Sequence, residues 1–519
     1  MTTRTASLYL FIFIGTIYLL TAGGHYGGDG FWNYLTARSL VLNGDLVVSD
    51  QDFSIPEMQR QYQSIASSNR TYSKYGLGLS LAELPFFAMG HILSKFTSKL
   101  PADYLTMFTT SLTNVFICSL WCLGFFRIAL RLGYQHRTVW WLTLFFALGS
   151  MVFPYSGYGF SEPLVGIALL GATGGCFYFT KNELIWALVV VSICMGLAIL
   201  TKLYIVITLP IFLFYILPTF KTQSDKRLSA IAILAPLAFF LFVILFHNHV
   251  RYNNIFQTGY HLDTLSQQGG YFAFWPTQII TALYGLLFST GRGLIFFLPL
   301  VCLFPFAYRH FKVSHPKEAQ LFLSLIIIHL IFFMFMIDWH AGSSWGPRYL
   351  LPIVPYFILP IGSLIESATK KRVLAFGIVG IITQLPGALT NPHLFVRFAQ
   401  DKKIGDLIFS PSDTGDLLFS PYLSPILGGY YQLISGIKSI FMGTSLTYTI
   451  SSGTKRSVSA SLENYDIIDI WWLNAIQTGL LNTTLTFLLL FAVVILIAIA
   501  IYSLRQLIIW QRQPEGNTP

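Results

Sequence analysis

Apolar runs about as long as a lipid bilayer is wide recur along this 519-residue sequence. A transmembrane helix needs about 20 predominantly apolar residues, and by that measure the sequence contains a dozen predicted spans. Charged residues make up only 10% of the chain, whereas soluble domains carry about 25%. The sequence therefore predicts an all-α integral membrane protein. The predicted spans are residues 7–23, 104–126, 138–155, 162–180, 184–200, 202–219, 228–248, 292–309, 319–337, 349–367, 373–390 and 479–503.

Basic residues predict how these spans are oriented. If the N-terminus is cytoplasmic, each predicted inner loop carries lysine or arginine, as the positive-inside rule requires. The even number of spans then places both termini in the cytoplasm, and we expect a multi-pass protein of the bacterial cytoplasmic membrane. The net charge of +10 comes from these loops, so it does not indicate a nucleic-acid partner. Gly23 and Gly24 make a poor cleavage site, so we interpret the first run as an uncleaved span.

The remaining segments define the domain organisation. Proline interrupts or flanks two further apolar stretches, 80–96 and 276–290, which we expect to lie along the membrane interface or in a protein-lined cavity. The last long loop is rich in Gly, Ser, Thr and Tyr and is expected to form a small subdomain on the outer face. The predicted units are a multi-span domain at 1–390 with a first outer loop at 24–103, the outer loop or subdomain at 391–478, and the last span with its cytoplasmic tail at 479–519.

An acid follows the first span within a few residues. Asp29 lies among glycines that allow tight turns, at a depth where it can meet a lipid-borne substrate, and it is a candidate general base toward an acceptor hydroxyl. The alternative is a helix N-cap, for which Asp is a preferred residue. The helix-compatible segment that follows carries Tyr34 and Arg38, which are candidate substrate-binding residues.

Two more ionisable residues stand later in the same outer loop. Lys74 precedes an apolar stretch and is a candidate ligand for a donor phosphate, which it would hold as a point charge. The alternative for Lys74 is snorkelling to the interface. Glu83 lies inside the stretch that follows. It faces either an outer cavity, where it would bind substrate, or the water side of an amphipathic helix.

A second acid begins the fourth predicted span. Glu162 directly precedes Pro163, and acids at helix N-termini are favoured by the helix dipole. An acid at membrane depth is costly, however, and is by default a functional candidate. Asp29 and Glu162 would together form a two-carboxylate site on the outer face, with one acid activating the acceptor and the other orienting it or binding a hard cation. A divalent cation is therefore left open, and no other cofactor is indicated.

A dense group of aromatic and charged residues fills the loop before the tenth span. Arg348 at the head of that span suits recognition of a phosphate, and Arg292 stands at the outer end of another span. Trp339 and Trp345 offer flat faces to a sugar ring or an isoprenoid, and His340 is either a hydrogen-bonding residue or a metal ligand. The alternative for this loop is an aromatic belt with a snorkelling arginine.

The order of these motifs resembles that of the C-type (GT-C fold) membrane glycosyltransferases, which include protein O-mannosyltransferases and the bacterial lipid A aminoarabinose transferase. The resemblance covers residues 1–390. It rests on Asp29, Lys74, Glu162-Pro163, a Gly- and Lys-containing segment from Gly196 to Pro210, and the segments 285–299 and 345–355, which resemble stretches of bacterial members. Asp29 is followed here by glycine instead of a second acid, and Lys74 lacks a proline neighbour.

This resemblance implies sugar transfer from a polyprenyl-phosphate donor to a hydroxyl of a glycan, lipid or protein acceptor, with inversion at the anomeric carbon. Asp29 would be the base, and Lys74, Arg292 or Arg348 would stabilise the leaving phosphate. Two other classes of protein use parts of the same pattern. A transporter or flippase of lipid-linked sugars would bind the donor with these cations without chemistry, and a non-enzymatic assembly factor would leave the two acids without a role.

Overall fold

The computed structural model describes most of the chain, with gaps in the outer loops and at the C-terminus. The described residues are 1–24, 28–48, 64–67, 70–96, 100, 102–262, 270–272, 274–342, 344–367, 369–392, 395, 416–442, 448–450, 458–460, 468–477 and 481–513. The predicted subdomain at 391–478 lies largely outside this part of the chain.

The protein is an all-helical multi-pass membrane protein. Within the described residues, nine helical segments are long and apolar enough to cross a membrane. Each of them overlaps a predicted span, because both the sequence prediction and the structural criterion select long apolar segments. They are Thr3–Thr21, Ala102–Arg131, Glu162–Asn182, Leu203–Thr222, Lys226–Tyr252, Pro316–Met334, Arg348–Ile365, Lys370–Leu389 and Thr483–Gln511.

The other three predicted spans are helical but are short or broken, so the count of twelve is not confirmed. His136–Leu148 has 13 residues and Ile185–Thr201 has 17. The span expected at 292–309 was wrong as one continuous helix. It consists of an α-turn at Leu294–Phe297, a 3-10 helix at Pro299–Leu303 and an α-helix at Phe304–Ser314, because proline can start a helical segment but cannot continue the preceding one.

Prolines also divide the span that carries Arg348. It begins as a 3-10 helix and alternates with short α-helical pieces through Ile365, with Pro352, Pro355 and Pro360 inside it. Nearly all of this segment is buried. Its neighbours therefore supply the packing that a run of 3-10 turns cannot provide for itself.

Shorter elements lie between the spans. Helices at Asp29–Leu42, Gly78–Ser94 and Pro276–Phe288 fall in the predicted outer segments, and two antiparallel hairpins pair Ser64–Ser67 with Arg70–Ser73 and Tyr448–Ile450 with Val458–Ala460. The remaining pieces are Val152–Tyr155, Gly259–Leu262, Asp416–Phe419, Pro421–Leu423, Pro425–Phe441 and Trp471–Gln477.

The segment before the last span fixes the exit of the first span. The backbone N–H of Trp471 donates to the carbonyl of Ala22 at 2.9 Å. The indoles of Trp471 and Trp472 donate to the carbonyls of Leu19 and Leu20 at 2.8 and 2.9 Å. The last carbonyls of a helix have no partner within the helix, so these bonds complete its C-terminus. The chain therefore enters the segment of Asp29 from a defined position.

The two ends of the bundle differ. The N-terminal ammonium of Met1 donates to the side chain of Gln513 at 3.1 Å, so the described beginning and end of the chain lie together. The first span runs from there to the other end, where Asp29 lies. That the end carrying Asp29 faces outward, and that both termini are cytoplasmic, stay predictions.

Candidate functional site

Two carboxylates and two cations meet at the end of the bundle where the first span finishes. The guanidinium of Arg348 donates from Nη1 to Asp29 Oδ2 at 3.1 Å, and its Nε lies 3.5 Å from Glu162 Oε1. Lys202 Nζ lies 3.5 Å from Glu162 Oε1 and 3.9 Å from Asp29 Oδ2. Each cation therefore stands between the two carboxylates, and the four formal charges sum to zero. We call Asp29, Glu162, Lys202 and Arg348 the charge cluster.

Asp29 is held in its charged form by its neighbours. Burial by itself would raise the pKa of this carboxyl, but Arg348, Lys202 and the Tyr75 hydroxyl together lower the pKa to about 2. Tyr75 donates to Asp29 Oδ1 at 2.7 Å. The N-cap of this helix is Gly28, and Asp29 is its first helical residue. The alternative in which Asp29 serves as the N-cap was therefore wrong.

Glu162 and Arg348 keep unused hydrogen-bonding capacity. Glu162 is 1% exposed, yet neither of its carboxylate oxygens makes a hydrogen bond to the described residues, and Arg348 Nε makes none to them either. Buried polar atoms without a partner are rare in folded proteins and often mark a place for a ligand or water. The Arg348 guanidinium also lies 4.3 Å from the centre of the Phe160 ring, which holds its plane in place.

Close backbone approaches bring the cluster together. A methyl group on Gly30 would overlap the backbone of Gly159, and one on Gly76 would overlap the carbonyls of Leu200 and Thr201. The first approach seats the start of Asp29–Leu42 against the turn that leads to Glu162. The second seats the backbone next to Tyr75 against the end of the helix that precedes Lys202. Glycine is required at both positions because any side chain would keep the two backbone segments apart.

This geometry makes a specific prediction for Gly30. Replacement by alanine forces the two backbones apart and moves Asp29 relative to Glu162, and a displacement of about 1 Å at a reacting group can cost about a hundred-fold in rate. We therefore expect Gly30→Ala to lower activity by about that factor. The matched control is Gly124→Ala, because a methyl group there meets only an ordinary contact with Leu170. Equal activities of the two variants would contradict the requirement for close approach.

The turn before Glu162 is anchored from three sides. Asn114 donates from its amide to the carbonyls of Tyr158 and Phe160, the second at 2.8 Å. The Tyr158 hydroxyl donates to the carbonyl of Gly387, and the Tyr155 hydroxyl donates to that of Trp345 at 2.9 Å. These bonds connect the turn to three other parts of the bundle. The turn that precedes Glu162 is therefore held in place by hydrogen bonds, and so is the start of its helix.

The structure places the predicted loop residues Arg292, Trp339, His340 and Trp345 outside the charge cluster. The guanidinium of Arg292 donates to the carbonyls of Gly291, His340 and Gly342, so it holds the loop before Arg348. Trp345 is fully buried, and its indole donates to Gln384 at 2.9 Å. Trp339 is also buried. Their assignment to phosphate or substrate binding stays a prediction that these contacts do not support.

The first outer loop contributes its predicted residues unequally. Lys74 Nζ lies 5.7 Å from the rings of Tyr75 and Tyr260, and its charge helps to lower the pKa of Asp29 after the larger effects of burial, Arg348, Lys202 and Tyr75. It therefore borders the charge cluster. Three other predicted residues lie in the supporting helices: Tyr34 bonds to Thr106 at 2.9 Å, Glu83 is buried, and Arg38 is half-buried.

Two members of the site were not among the predicted site residues. Lys202 interrupts the apolar run 184–219, and the predicted order of spans makes it one of several outer cations without assigning it to the site. A lysine inside an apolar run costs free energy unless it has a partner. This cost was the sequence signal that could have assigned Lys202 to the site. Tyr75 directly follows Lys74, but nothing in the sequence distinguishes it from other interfacial tyrosines. The Tyr75 hydroxyl reaches Asp29 where Gly76 lies against the end of the helix Ile185–Thr201, a contact between distant parts of the sequence.

The residues of the site do not fit a divalent cation. Among the residues that the structure describes, no group of three or more His, Cys, Asp or Glu could hold a metal ion. Ca²⁺ and Mg²⁺ require several oxygen ligands, whereas the two carboxylates here already meet two positive side chains. The Nδ1 of His340 accepts from the Gly342 N–H at 3.1 Å. We therefore derive no step through a metal.

The fold and the site define a multi-pass, all-helical membrane protein with a buried, charge-balanced cluster at one end. Two solved structures of ArnT from Cupriavidus metallidurans are similar to it. The structure bound to undecaprenyl phosphate has a TM-score of 0.42 and 11% sequence identity, and the match covers 89% of this chain and 84% of that one. For the apo structure the values are 0.43, 12%, 88% and 83%.

The function is inferred below from the side chains of the site alone. No protein-family model and no curated protein sequence matches the chain.

Proposed function

We propose that this protein transfers a sugar from a polyprenyl-phosphate-linked donor to an acceptor hydroxyl on the outer face of the membrane, with inversion at the anomeric carbon. The observation that carries the proposal is the charge cluster, in which Lys202 and Arg348 each lie between Asp29 and Glu162. A group that can take a proton and two groups that can hold a phosphate stand side by side at the end of the membrane spans.

The proposed reaction is a single displacement. The acceptor oxygen forms a bond to the anomeric carbon while its proton passes to Asp29, and the bond from that carbon to the phosphate oxygen breaks. The electron pair leaves with the phosphate, whose charge becomes more negative. Lys202 and Arg348 stabilise that developing charge, and preorganised groups of this kind often provide the largest share of catalysis. Attack from the side opposite the leaving group gives inversion.

The low pKa of Asp29 fits this reaction only with the donor bound. Despite burial, Arg348 and Lys202 lower the pKa of Asp29 to about 2, which makes it a weak base in the absence of donor. A phosphate that engages these two cations weakens their hold on the carboxylate. The pKa of Asp29 then rises toward the range where it takes a proton. Binding of the correct donor would therefore also activate the base.

Glu162 has a separate role in this proposal. Its oxygens accept no hydrogen bond from the described residues, so they can accept one from an acceptor hydroxyl or from the transferred sugar. A carboxylate next to Lys202 and Arg348 also keeps both cations in place when Asp29 is protonated. The neighbouring Lys74 lies close enough to Asp29 to affect its pKa and adds positive charge where the donor phosphate would arrive. The acceptor is a glycan, lipid or protein that bears a free hydroxyl.

The experiment that tests the function separates transfer from transport. The purified full-length protein in detergent micelles is incubated with polyprenyl-phosphate sugars and candidate acceptors, and product is measured by mass spectrometry, with anomeric configuration determined by NMR. Detergent micelles enclose no aqueous compartment, so transport cannot be observed in them. A transporter of lipid-linked sugars would therefore form no covalent product. A complete absence of transfer across the donor and acceptor series, with donor binding retained, would favour the transporter.

A further inference from the structure

A polar pocket lies at the end of the bundle opposite the charge cluster. It is an open cavity of about 780 Å³, which is within the range of ligand-binding pockets. One wall is the start of the helix His136–Leu148, with Arg137 and Trp141, and the other is the end of the helix Thr483–Gln511 with Arg512. We call this cavity the arginine pocket. It is separate from every residue that the proposed reaction uses.

The lining of the arginine pocket is positively charged. Arg137 and Arg512 are both exposed, and neither forms an ion pair within the described part of the chain. The lining residues that the structure describes include no acid. The carboxylate of Glu366 is close by, but it accepts the backbone N–H of Gln135 at 2.8 Å. Two arginines that face one cavity match the geometry of a phosphate, which their planar forks can grip.

Further groups add hydrogen bonds to those of the two arginines. Gln135 is the N-cap of its helix and makes no side-chain bond to it, so the first N–H groups of a 13-residue helix are available where the dipole favours an anion. Across the cavity, the buried side-chain oxygen of Gln511 has no hydrogen-bond partner among the residues that the structure describes. An unpartnered acceptor calls for a donor from the ligand, and a hydroxyl beside the phosphate supplies one.

The position of Trp141 points to a lipid. Trp141 and Arg137 are four residues apart on one helix, so they share a face, and the half-buried indole lies one turn deeper than the guanidinium. Indoles are enriched at the boundary between head groups and acyl chains. The second wall belongs to a helix whose half next to the cavity carries exposed apolar residues such as Ile497, Ile501 and Ile509. The cavity therefore opens where acyl chains can lie along the bundle.

We propose that the arginine pocket binds the head group of an anionic phospholipid, with the phosphate between Arg137 and Arg512 and a head-group hydroxyl donating to Gln511. A lipid bound there connects the helix His136–Leu148 with the last span, Thr483–Gln511. It is a structural lipid site and takes no part in sugar transfer. The two ends of the protein then recognise two different lipid phosphates.

The test uses the delipidated full-length protein and native mass spectrometry with phosphatidylglycerol, phosphatidylcholine or inorganic phosphate as the added probe. We expect tight binding of phosphatidylglycerol, and a loss of affinity of about five-fold for each arginine removed in Arg137→Gln and Arg512→Gln. The matched control is Arg309→Gln with Lys312→Gln, because both residues are exposed on the neighbouring helix Phe304–Ser314 and outside the pocket.

Three results would overturn the lipid site. Equal losses in the pocket and control variants would show general surface attraction without a specific pocket. Equal binding of phosphatidylcholine would show that the anionic head group is not recognised. Displacement of phosphatidylglycerol by inorganic phosphate at similar concentration would make the cavity a site for free anions. Sugar-transfer activity of the pocket variants is expected to stay normal, so failure of this proposal and failure of the proposed function are distinguishable.

Discussion

Asp29→Asn is expected to lower the rate of sugar transfer by at least about a hundred-fold while donor binding is retained, because general-base catalysis contributes about a hundred- to ten-thousand-fold. Asparagine keeps the shape of the side chain and can still accept from Tyr75, which now donates to Asp29 Oδ1 at 2.7 Å. It cannot take a proton from the acceptor. The prediction is checked by two measurements. Turnover at saturating donor should fall, and donor affinity, measured separately, should be unchanged.

The matched control for this variant is Asp45→Asn. Asp45 lies in the same outer segment and accepts from the Ser39 hydroxyl at 2.5 Å and from the Val47 N–H at 3.1 Å. It has the same chemistry as Asp29 but lies outside the charge cluster. Near-normal turnover in Asp29→Asn would remove the base from the proposal. If the Asp29 variant is not folded, Glu162→Gln tests whether the cluster is catalytic through its second acid.

The course of the membrane spans was predictable from sequence because it depends on local properties. Length and apolarity locate each run, and the structure confirms an all-α membrane fold. Where the expectation of a continuous helix was wrong, at 292–309, the proline residues that divide it were already visible. A continuous helix was expected there because the segment is apolar throughout. Proline breaks a helix but does not reduce the hydropathy of the segment enough to reveal the break.

The site was less predictable because its contacts are not local. Arg348 and Asp29 are 319 positions apart, and no periodicity connects them. Charged residues near span ends could be recognised singly, and the structure brings Asp29, Glu162 and Arg348 together. It could not be foreseen that Arg292 would hold backbone carbonyls, or that Trp345 would turn inward onto Gln384. Those outcomes depend on the path of a loop, which single-residue chemistry does not determine.

Arg348→Met is expected to destabilise the protein by about 3–5 kcal/mol, because breaking a buried ion pair leaves an uncompensated charge. Arg348 is 6% exposed and faces both carboxylates of the cluster. Lys202 alone then neutralises two acids. Arg348→Lys is expected to fold but to use donor poorly, since an ammonium cannot replace a fork that reaches Asp29 and Glu162 together. Reversible unfolding in mixed micelles measures the stability of each variant.

Arg131→Met is the matched control for the loss of Arg348. Arg131 also lies on an aromatic ring, 3.9 Å from the centre of Tyr178, and donates to the carbonyl of Phe177 at 2.8 Å, but no carboxylate is paired with it in the described structure. Its loss is therefore expected to cost less.

A double-mutant cycle tests the cause of the destabilisation directly. Adding Asp29→Asn to Arg348→Met removes one of the two carboxylates that lost their partner, so it should restore part of the lost stability and not lower it further. Strictly additive losses would mean that Arg348 stabilises the fold through packing on Phe160 alone. The charge cluster would then be a set of neighbouring residues without the coupling that donor-dependent activation of Asp29 requires.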